Sequence, residues 1–388
     1  MKKKIAILGS TGSIGKITLN IIKQNKNNFE IKLLSTNKNI KLLIKQAKFF
    51  NVKNLIVTSE KYYKILKKKN RNKNIKIYNN FSSFDKIFNS KIDYVMSSIT
   101  GIAGLEPTLK IIKHTKSIGI ANKETIICAW NLIYKQLKIY NTSFVPIDSE
   151  HFSIYSLNNG FNTSQIEKIF ITASGGPFLK FTKKKLNMVN PSKAVQHPNW
   201  KMGKKISVDS ATLMNKVFEV IEAQRIFNLK KKFFEILIHP KSYLHSIIKY
   251  KNGTSKLLIH DTTMKIPIFN YICKDISHKL NTNKINFSLL NNLELKKPIQ
   301  RQFPLLKILN KIPENISLFE TILISANDEL VENFINGNIK FNQIHKILFK
   351  ILSLNEFKSF KYKKPKNLEQ IIKLNKYVRL KTLNLCIV

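Results

Sequence analysis

The stretch Ile5-Ala-Ile-Leu-Gly-Ser-Thr-Gly-Ser-Ile-Gly15 joins a short apolar run to three glycines that are spaced three residues apart. This order predicts a buried strand at residues 5–8, a glycine turn, and a helix at residues 16–23. Glycine lets a backbone approach a pyrophosphate closely, and the following helix N-terminus supplies amides and partial positive charge. The pattern predicts a dinucleotide-binding turn, although the glycine spacing on its own is a weak signal.

The next apolar run strengthens that interpretation. Ile31-Lys-Leu-Leu-Ser-Thr36 is predicted as a second strand, and Asn37-Lys38-Asn39 follow it. In a Rossmann-like fold this position meets the adenosine ribose, where an acidic residue selects NAD. A lysine suits the 2′-phosphate of NADP instead, so we expect NADPH as the cofactor.

Alternating strand and helix signals continue to about residue 148 and then change in character. The further predicted strands lie at residues 55–57, 75–77, 94–96, 117–120 and 143–147. They indicate an α/β fold whose N-terminal Rossmann-like, doubly wound sheet occupies residues 1–148. We expect a central α+β catalytic domain at 149–274, with strands at 236–238 and 247–250, then a linker at 275–300. Helical spacing at 304–311, 318–336 and 341–352 predicts a C-terminal helical bundle within 301–388.

Composition limits the class of protein. A chain of 388 residues without a long apolar run or signal-peptide core predicts a soluble, cytoplasmic protein with no membrane contact. Cys128, Cys273 and Cys386 are too few and too far apart for a disulfide framework or a thiolate zinc site. The net charge of +44 raises the alternative of nucleic-acid binding. Only four of the 67 basic residues are arginine, however, so we expect compositional drift and no nucleic-acid partner.

Because the chain has only 23 acidic residues, carboxylates close together in apolar surroundings are informative. Asp148 and Glu150 follow a predicted strand, and two residues of extended backbone would point both carboxylates to one side. The stretch from Asp209 to Glu222 is interpreted as one helix, capped by Asp209 or Ser210. It would bring Asn215, Glu219 and Glu222 onto one face. Asp148, Glu150 and Glu219 are therefore candidate ligands of Mg²⁺ or Mn²⁺. A solvated strand end and an ordinary charged helix face are the alternatives.

Three further segments carry polar groups at turns. Ala121-Asn-Lys-Glu124 follows a strand and places Lys123 where it would bind an oxyanion, unless it is a surface lysine. Ile171-Thr-Ala-Ser-Gly-Gly-Pro177 would cradle phosphate, unless it is an ordinary tight turn. Residues 196–204 contain Trp200 between proline and glycine, a composition suited to a lid and also to a packed loop. His151 is a candidate fourth metal ligand, but a hydrogen-bonding histidine is the commoner outcome.

In order and along essentially the whole chain, these segments resemble the 1-deoxy-D-xylulose 5-phosphate reductoisomerase family. The specific motifs are Gly-Ser-Thr-Gly-Ser-Ile-Gly, Ala-Asn-Lys-Glu, Pro-Ile-Asp-Ser-Glu-His, Ser-Gly-Gly-Pro-Phe and the run from His197 through Glu222. The resemblance implies a homodimeric enzyme of isoprenoid precursor biosynthesis. Its cofactors would be NADPH and a divalent ion, Mg²⁺, Mn²⁺ or Co²⁺. It would rearrange 1-deoxy-D-xylulose 5-phosphate and reduce the product to 2-C-methyl-D-erythritol 4-phosphate.

The resemblance also implies roles for single residues. The cofactor residues would be Thr11, Gly12, Ser13, Ile14, Asn37, Lys38, Asn39, Asn122, Glu124 and Gly203. The metal ligands would be Asp148, Glu150 and Glu219, which with Lys123 form the catalytic set. The substrate would meet Lys123, Ser149, Glu150, Ser174, His197, Ser210, Asn215, Lys216 and Glu219. Trp200 and Met202 would belong to the lid.

Three positions depart from the family pattern, and all three replace a usual glycine. Asn37 lies in the cofactor loop, where asparagine tolerates a positive φ better than other residues. Ala173 precedes Ser174 and Val217 follows Lys216, so both adjoin inferred phosphate ligands, where they would raise KM.

Two rival classes remain to be distinguished. Another Rossmann oxidoreductase, such as a semialdehyde or homoserine dehydrogenase, needs no three-carboxylate metal site for its hydride transfer. A basic nucleic-acid-binding protein would bind DNA or RNA tightly and with a steep dependence on salt concentration.

The Lys38 position gives a test of the cofactor. We expect Lys38→Ala to raise the Kd for NADPH about tenfold or more, because it removes a charge-assisted contact to the 2′-phosphate. The Kd for NADH should change little. Titrating both nucleotides measures the difference, and equal losses of affinity would reject the role of Lys38.

Overall fold

A computed structural model describes residues 1–70, 72–158, 162–200, 202–274 and 279–386 of the chain. Its strands are β1 (Lys3–Leu8), β2 (Phe29–Thr36), β3 (Asn54–Val57), β4 (Lys76–Tyr78), β5 (Ile92–Ser97), β6 (Thr115–Ile120), β7 (Ser143–Pro146), β8 (Ile166–Ala173), β9 (Phe234–Ile238), β10 (Leu244–Tyr250) and β11 (Ser255–Ile259).

The α-helices vary widely in length. They are α1 (Ser13–Gln24), α2 (Ile40–Phe50), α3 (Glu60–Lys69), α4 (Phe84–Ile87), α5 (Leu105–Ile111), α6 (Lys123–Ile139), α7 (Ser149–Leu157), α8 (Lys183–Leu186), α9 (Pro191–Ala194), α10 (Lys204–Ala211), α11 (Met214–Phe227), α12 (Lys265–Ile272), α13 (Phe287–Asn291), α14 (Phe319–Ile335), α15 (Phe341–Leu352), α16 (Asn355–Lys358) and α17 (Leu368–Cys386).

The chain divides into two compact units. The first comprises Met1–Ile126, Asn131–Asp148 and Met264–Leu280, and the second comprises Ile127–Trp130, Ser149–Thr263 and Asn281–Val388. The three-domain division expected from the sequence stays a prediction. Residues 275–278 of the expected linker lie outside the described residues, and the remainder of that segment contains α13.

The first unit is built on a parallel sheet with the strand order β4-β3-β2-β1-β5-β6-β7. Every pairing between neighbouring strands is parallel, which requires a crossover between successive strands. The core includes Ile5, Ile7, Leu34 and Leu55, all fully buried. β1 lies centrally between β2 and β5, so the glycine turn that follows it lies at a topological switch point, where α/β sheets bind ligands.

The second unit contains a four-stranded sheet with the order β11-β10-β8-β9. β10 is antiparallel to β8 and to β11, whereas β8 and β9 are parallel. Helices α7 and α11 contribute to its core through Ile154 and Val220, which cluster with Ile169 and Ile248. This packing fixes the two helices that carry the candidate carboxylates.

The α/β class and the predicted run of N-terminal strands are confirmed. The first helix begins earlier than predicted, because Gly12 already occupies its N-cap position. In the C-terminal part, the helices predicted at 318–336 and 341–352 are α14 and α15, whereas the segment predicted at 304–311 is a 3₁₀ helix, Pro304–Asn310. The sequence interpretation missed β11 and α17.

Two local predictions are wrong. Residues 209–222 do not form one helix, because α10 ends at Ala211, the buried Leu213 takes a left-handed φ of 59°, and α11 starts at Met214. Asp148 and Glu150 are not two residues apart on extended backbone either. β7 ends at Pro146 and Glu150 lies in the first turn of α7.

No α-helix among the described residues is both long and apolar enough to cross a membrane. The three cysteines are free thiols, as the sequence predicted.

Candidate active site

The glycine turn between β1 and α1 has the backbone shape that a bound phosphate requires. Gly9 has a φ of 83°, and a methyl group added at Gly15 would lie 2.4 Å from the Gly9 carbonyl oxygen. The N-cap of α1 is Gly12, which has no side chain to occupy the first amides of the helix. These open amides and the positive end of the helix dipole fit a dinucleotide pyrophosphate.

The loop after β2 places the expected adenosine-binding residues at the same edge of the first unit. Asn37 Nδ2 donates to Thr58 Oγ1 at 2.8 Å, and the Asn39 side chain caps α2 by accepting from the Leu42 amide at 3.1 Å. Lys38 is exposed between them. The backbone of Asn37 does not have a positive φ. The expected backbone cost of replacing glycine by Asn37 is therefore not incurred.

The start of α6 is held by Asn122, its N-cap residue. The Asn122 amide accepts from Thr125 N at 3.0 Å and donates to the carbonyl oxygens of Ile99 and Gly101. Asn122 thus links the start of α6 to the loop that follows β5. Next to it, Lys123 is buried with its ammonium 3.6 Å from Asp148 Oδ2. This ion pair places a buried lysine beside a candidate metal ligand.

A buried charge cluster lies between α7 and α11 in the second unit. The ammonium of Lys216 lies 2.6 Å from Glu150 Oε1 and 2.5 Å from Glu219 Oε2. All three side chains are at least about nine-tenths buried, and Ser149 Oγ donates to Glu150 Oε2 at 2.5 Å. Lys216 and Glu219 are three residues apart on α11, so they share a face of that helix.

The electrostatics of the cluster favour a cation. Burial by itself lowers the pKa of Lys216, but the two carboxylates outweigh burial and raise the pKa of this ammonium above its ordinary value. Glu150 and Glu219 each offer an oxygen within 4.8 Å of the other. Carboxylate oxygens are the ligands that Mg²⁺ and Mn²⁺ prefer, so the chemistry of these donors fits a hard divalent ion.

Neighbouring polar groups orient the cluster. Asn215 Nδ2 donates to Glu219 Oε1, as its position one turn earlier on α11 predicted. His151 is fully buried, and its Nε2 hydrogen-bonds to the Glu219 carbonyl oxygen at 2.8 Å. The imidazole therefore supports the backbone of α11, and its role as a fourth metal ligand stays a prediction.

Ser174, at the end of β8, is paired with His197. The imidazole Nδ1 accepts from the amides of Asn199 and Trp200 at 3.1 and 3.0 Å, so the proton of the neutral ring lies on Nε2. Nε2 then donates to Ser174 Oγ at 2.9 Å, and the same oxygen accepts from Gly176 N at 3.0 Å. The hydroxyl receives two hydrogen bonds and keeps its own proton for an acceptor such as a phosphate oxygen.

The environment of His197 keeps its ring neutral. Burial is the main cause, and the positive charge of Lys216 is the second; together they lower the pKa of His197 to about 4. At neutral pH the tautomer assigned from the hydrogen bonds is therefore maintained.

The predicted lid segment, residues 196–204, is anchored on its described side. Asn199 Nδ2 donates to the Pro240 carbonyl oxygen and to Ser242 Oγ at 2.6 and 3.0 Å. The Trp200 ring meets His245 edge-on at a centroid distance of 6.0 Å, and His245 stacks on His260 at 3.6 Å. Residue 201 lies outside the described residues, Met202 is partly buried, and Gly203 is the N-cap of α10.

Ser210, in the last turn of α10, lies beside the turn that follows β8 and carries Ser174. A methyl group added at Gly176 would lie 2.9 Å from the Ser210 carbonyl oxygen, so the two segments are in close contact. The prediction that Asp209 or Ser210 caps a helix is wrong, because both lie in the last turns of α10. Asp209 is fully buried and is ion-paired with Lys205 at 3.0 Å.

Sequence reasoning missed the partners that hold these segments. His245 and His260 lie 45 and 60 residues after Trp200, and Asn327, which donates to Asp209 Oδ1 at 2.8 Å, lies 118 residues after Asp209. No local pattern links such residues. Only the tertiary fold brings them together.

Comparison with known proteins gives one consistent family. A model of 1-deoxy-D-xylulose 5-phosphate reductoisomerase matches residues 5–130, and two models of its C-terminal domains match residues 144–227 and 260–381. The 1-deoxy-D-xylulose 5-phosphate reductoisomerase of Pelagibacter ubique is 58% identical over 381 residues, which cover 98% of each chain. That of Wolbachia pipientis wMel is 37% identical, with 89% of each chain covered.

Solved structures agree. The Zymomonas mobilis reductoisomerase in complex with NADPH has a TM-score of 0.88 at 30% identity, covering 100% of this chain and 99% of its own. A DOX-P reductoisomerase in complex with NADPH, fosmidomycin and magnesium has a TM-score of 0.90 at 30% identity, covering 99% and 98%.

His197 gives a pH test of this geometry. We expect its imidazole to titrate in an NMR experiment with a pKa of about 4, well below the ordinary 6.5. Between these values the unfolded chain binds a proton that the folded chain does not, so the free energy of unfolding should fall as the pH drops from 6.5 towards 4. Lys216→Met should move the midpoint upward. A midpoint near 6.5 in the unchanged protein would contradict the buried, neutral ring.

Proposed function

The chain belongs to the 1-deoxy-D-xylulose 5-phosphate reductoisomerase family, and on that basis we propose that Asp148, Glu150 and Glu219 hold its catalytic metal. The protein is an NADPH- and divalent-metal-dependent oxidoreductase. It rearranges 1-deoxy-D-xylulose 5-phosphate and reduces the product to 2-C-methyl-D-erythritol 4-phosphate in isoprenoid precursor biosynthesis.

The observation that carries the metal assignment is the buried pair Glu150 and Glu219 with a cation already between them. Two carboxylates out of water require a positive charge, and Lys216 supplies it in this structure. Asp148 immediately precedes the helix that carries Glu150, so the chain itself keeps a third carboxylate near this helix start. When bound, the metal supplies Lewis-acid polarisation of the substrate oxygens.

The substrate phosphate would be bound by groups of the second unit. Ser174 has a hydroxyl proton to donate, because its oxygen already accepts from His197 and Gly176. Ser210 lies on α10, which packs against the turn at Gly176, and Asn215 and Lys216 lie on α11, where the charge of Lys216 acts on His197. His197 would act on the phosphate through the Ser174 hydroxyl that it holds in position, and Ser149 would contact the sugar beside Glu150. Binding a distant phosphate orients the reacting carbons.

The nicotinamide cofactor would lie along the first unit. Thr11, Gly12, Ser13 and Ile14 surround the open N-terminus of α1, and Asn37, Lys38 and Asn39 form the loop at the adenosine end. Asn122 and Glu124, at the start of α6, would lie nearer the nicotinamide, and Gly203 is the remaining residue proposed to bind the cofactor. NADPH supplies the hydride. Lys123 would steer a proton or bind a developing oxyanion, since its ammonium is buried next to Asp148.

Trp200 and Met202 would cover the bound substrate and exclude water from the reaction. The backbone of Trp200 is tied to His197 and its ring to His245, so the described part of this loop has a defined resting position.

We also propose the larger organisation from the family. Residues 1–148 would form the cofactor domain, 149–274 the catalytic domain and 301–388 a helical domain. A cytoplasmic location, testable by cell fractionation, stays a prediction. The partner would be a second copy of the chain. β11 is an edge strand of its sheet, and its Leu257 is 47% exposed, which suits strand pairing across a homodimer.

The metal assignment is tested by Glu219→Gln. The unchanged protein should oxidise NADPH only when 1-deoxy-D-xylulose 5-phosphate and Mg²⁺ or Mn²⁺ are both present. We expect Glu219→Gln to lower kcat at least about 100-fold, because it removes a metal ligand, while the Kd for NADPH stays nearly unchanged.

The matched control is Glu329→Gln, a buried glutamate of α14 that pairs with Arg379 at 2.8 Å. It should keep its turnover, since its carboxylate only supports the fold. Near-normal turnover of the Glu219→Gln variant would contradict the metal assignment.

The homodimer is tested by Leu257→Asp. A buried aspartate on a paired edge strand is costly, so sedimentation should show a shift from dimer towards monomer. The control is Leu380→Asp on α17, a leucine that is also exposed, at 64%. If the two variants sediment alike as dimers, β11 is not the contact.

A further inference from the structure

Helix α14 is almost entirely buried, yet it carries polar side chains that reach both helices of the proposed phosphate site. Asn327 Nδ2 donates to Asp209 Oδ1 of α10 at 2.8 Å, and Asp328 Oδ1 lies 3.0 Å from the ammonium of Lys205, also on α10. Glu320 Oε1 lies 2.5 Å from Arg225 Nη2 near the C-terminus of α11. α14 therefore holds α10 and α11 at separate points.

Two of these contacts come from the same face of α14. Glu320 and Asn327 are seven residues apart, which is two helical turns, so they lie on the same face. Both are fully buried. A shift of α14 would be transmitted to α10 and α11 together, because each is tied to this face by a charged group.

The polar side chain of Asn327 costs more folding free energy than an apolar side chain would at this buried position. Its Nδ2 bonds to Asp209, while its Oδ1 is buried without a hydrogen-bond partner among the described residues. A buried unsatisfied carbonyl costs free energy that an apolar side chain of similar size would avoid. The amide therefore has a specific task, which is to fix the Asp209 carboxylate.

Asp209 immediately precedes Ser210, and adjacent residues on a helix are rotated by about 100°. Fixing Asp209 against α14 sets the rotation of α10 and hence the direction of Ser210. On the other side, the Gly176 turn is so close to Ser210 and Ala211 that a methyl group there would lie 2.7 Å from the Ala211 Cα. The last turn of α10 is thus held between α14 and the turn that carries Ser174.

We propose that Asn327, acting through Asp209, is a positioning residue for the substrate phosphate. It touches no substrate; it sets the place of Ser210 relative to Ser174. This inference rests on the proposed function, in which Ser174 and Ser210 bind the phosphate.

The test is Asn327→Ala with steady-state kinetics. We expect KM for 1-deoxy-D-xylulose 5-phosphate to rise about tenfold, the loss of one hydrogen bond to a charged group, with kcat and KM for NADPH nearly unchanged. The matched control is Asn333→Ala, a buried amide of the same helix that donates to Glu329 at 2.9 Å and accepts from Asn338 at 3.0 Å, so that its bonds do not reach α10. It should lower the melting temperature without changing KM. An unchanged KM in Asn327→Ala, or an equal rise in Asn333→Ala, overturns the proposal.

A double variant separates positioning from general damage. If Asn327 acts through Ser210, Ser210→Ala with Asn327→Ala should have no higher KM than Ser210→Ala alone. Independent, multiplying effects would overturn that route. If Ser210→Ala itself leaves KM unchanged, the phosphate assignment has failed; if it raises KM and Asn327→Ala does not, only the positioning role has failed. Asn327→Asp keeps the size of the side chain and sets two carboxylates against each other, so it should also raise KM, which provides a second variant should alanine prevent folding.

Discussion

The Lys216 ammonium between Glu150 and Glu219 is the interaction on which the second unit is organised. Each buried ion costs several kcal/mol of lost hydration, and that cost is offset only while the opposite charges stay in contact. The contact requires α7 and α11 to remain packed, because they supply its members. Ile154 and Val220 perform that task in the apolar core, so ordinary burial of aliphatic side chains determines the distance between the carboxylates.

The same requirement extends to the residues proposed to bind the substrate phosphate. The residue before α11, Leu213, is buried and lies in the left-handed region, a conformation that non-glycine residues adopt only when their surroundings impose it. That turn separates Ser210, on the helix that packs against the Gly176 turn, from Asn215 and Lys216 on the next helix. The charged contacts of α14 to α10 and α11 explain how an unfavourable backbone conformation at Leu213 is maintained without glycine. The proposed metal site and the proposed phosphate site therefore share one helix, α11.

How much of this could be predicted from sequence depended on the range of the interaction. Short apolar runs and the glycine spacing after Leu8 are local signals, and they identified the parallel sheet and its nucleotide turn. The break at Leu213 has no local signal, since neither glycine nor proline marks it, and an apolar helical period continues across it. Asp209 resembled a helix cap because its partner, Asn327, is remote in the sequence. The family resemblance named Ser174 and His197, but the proton on Nε2 follows only from the hydrogen bonds to Asn199 and Trp200.

The net charge of +44 bears on why the carboxylates must be buried together. A strongly positive protein attracts a sugar phosphate and a nucleotide from solution but repels a divalent cation. Salt screens exposed lysines beyond about 8 Å at physiological ionic strength, whereas buried charges interact with little screening. A cation therefore responds mainly to the carboxylates it touches. Placing scarce acidic residues in contact inside an apolar core gives the chain a local negative site that its lysine-rich surface does not cancel, while that surface still favours the anionic substrate and cofactor.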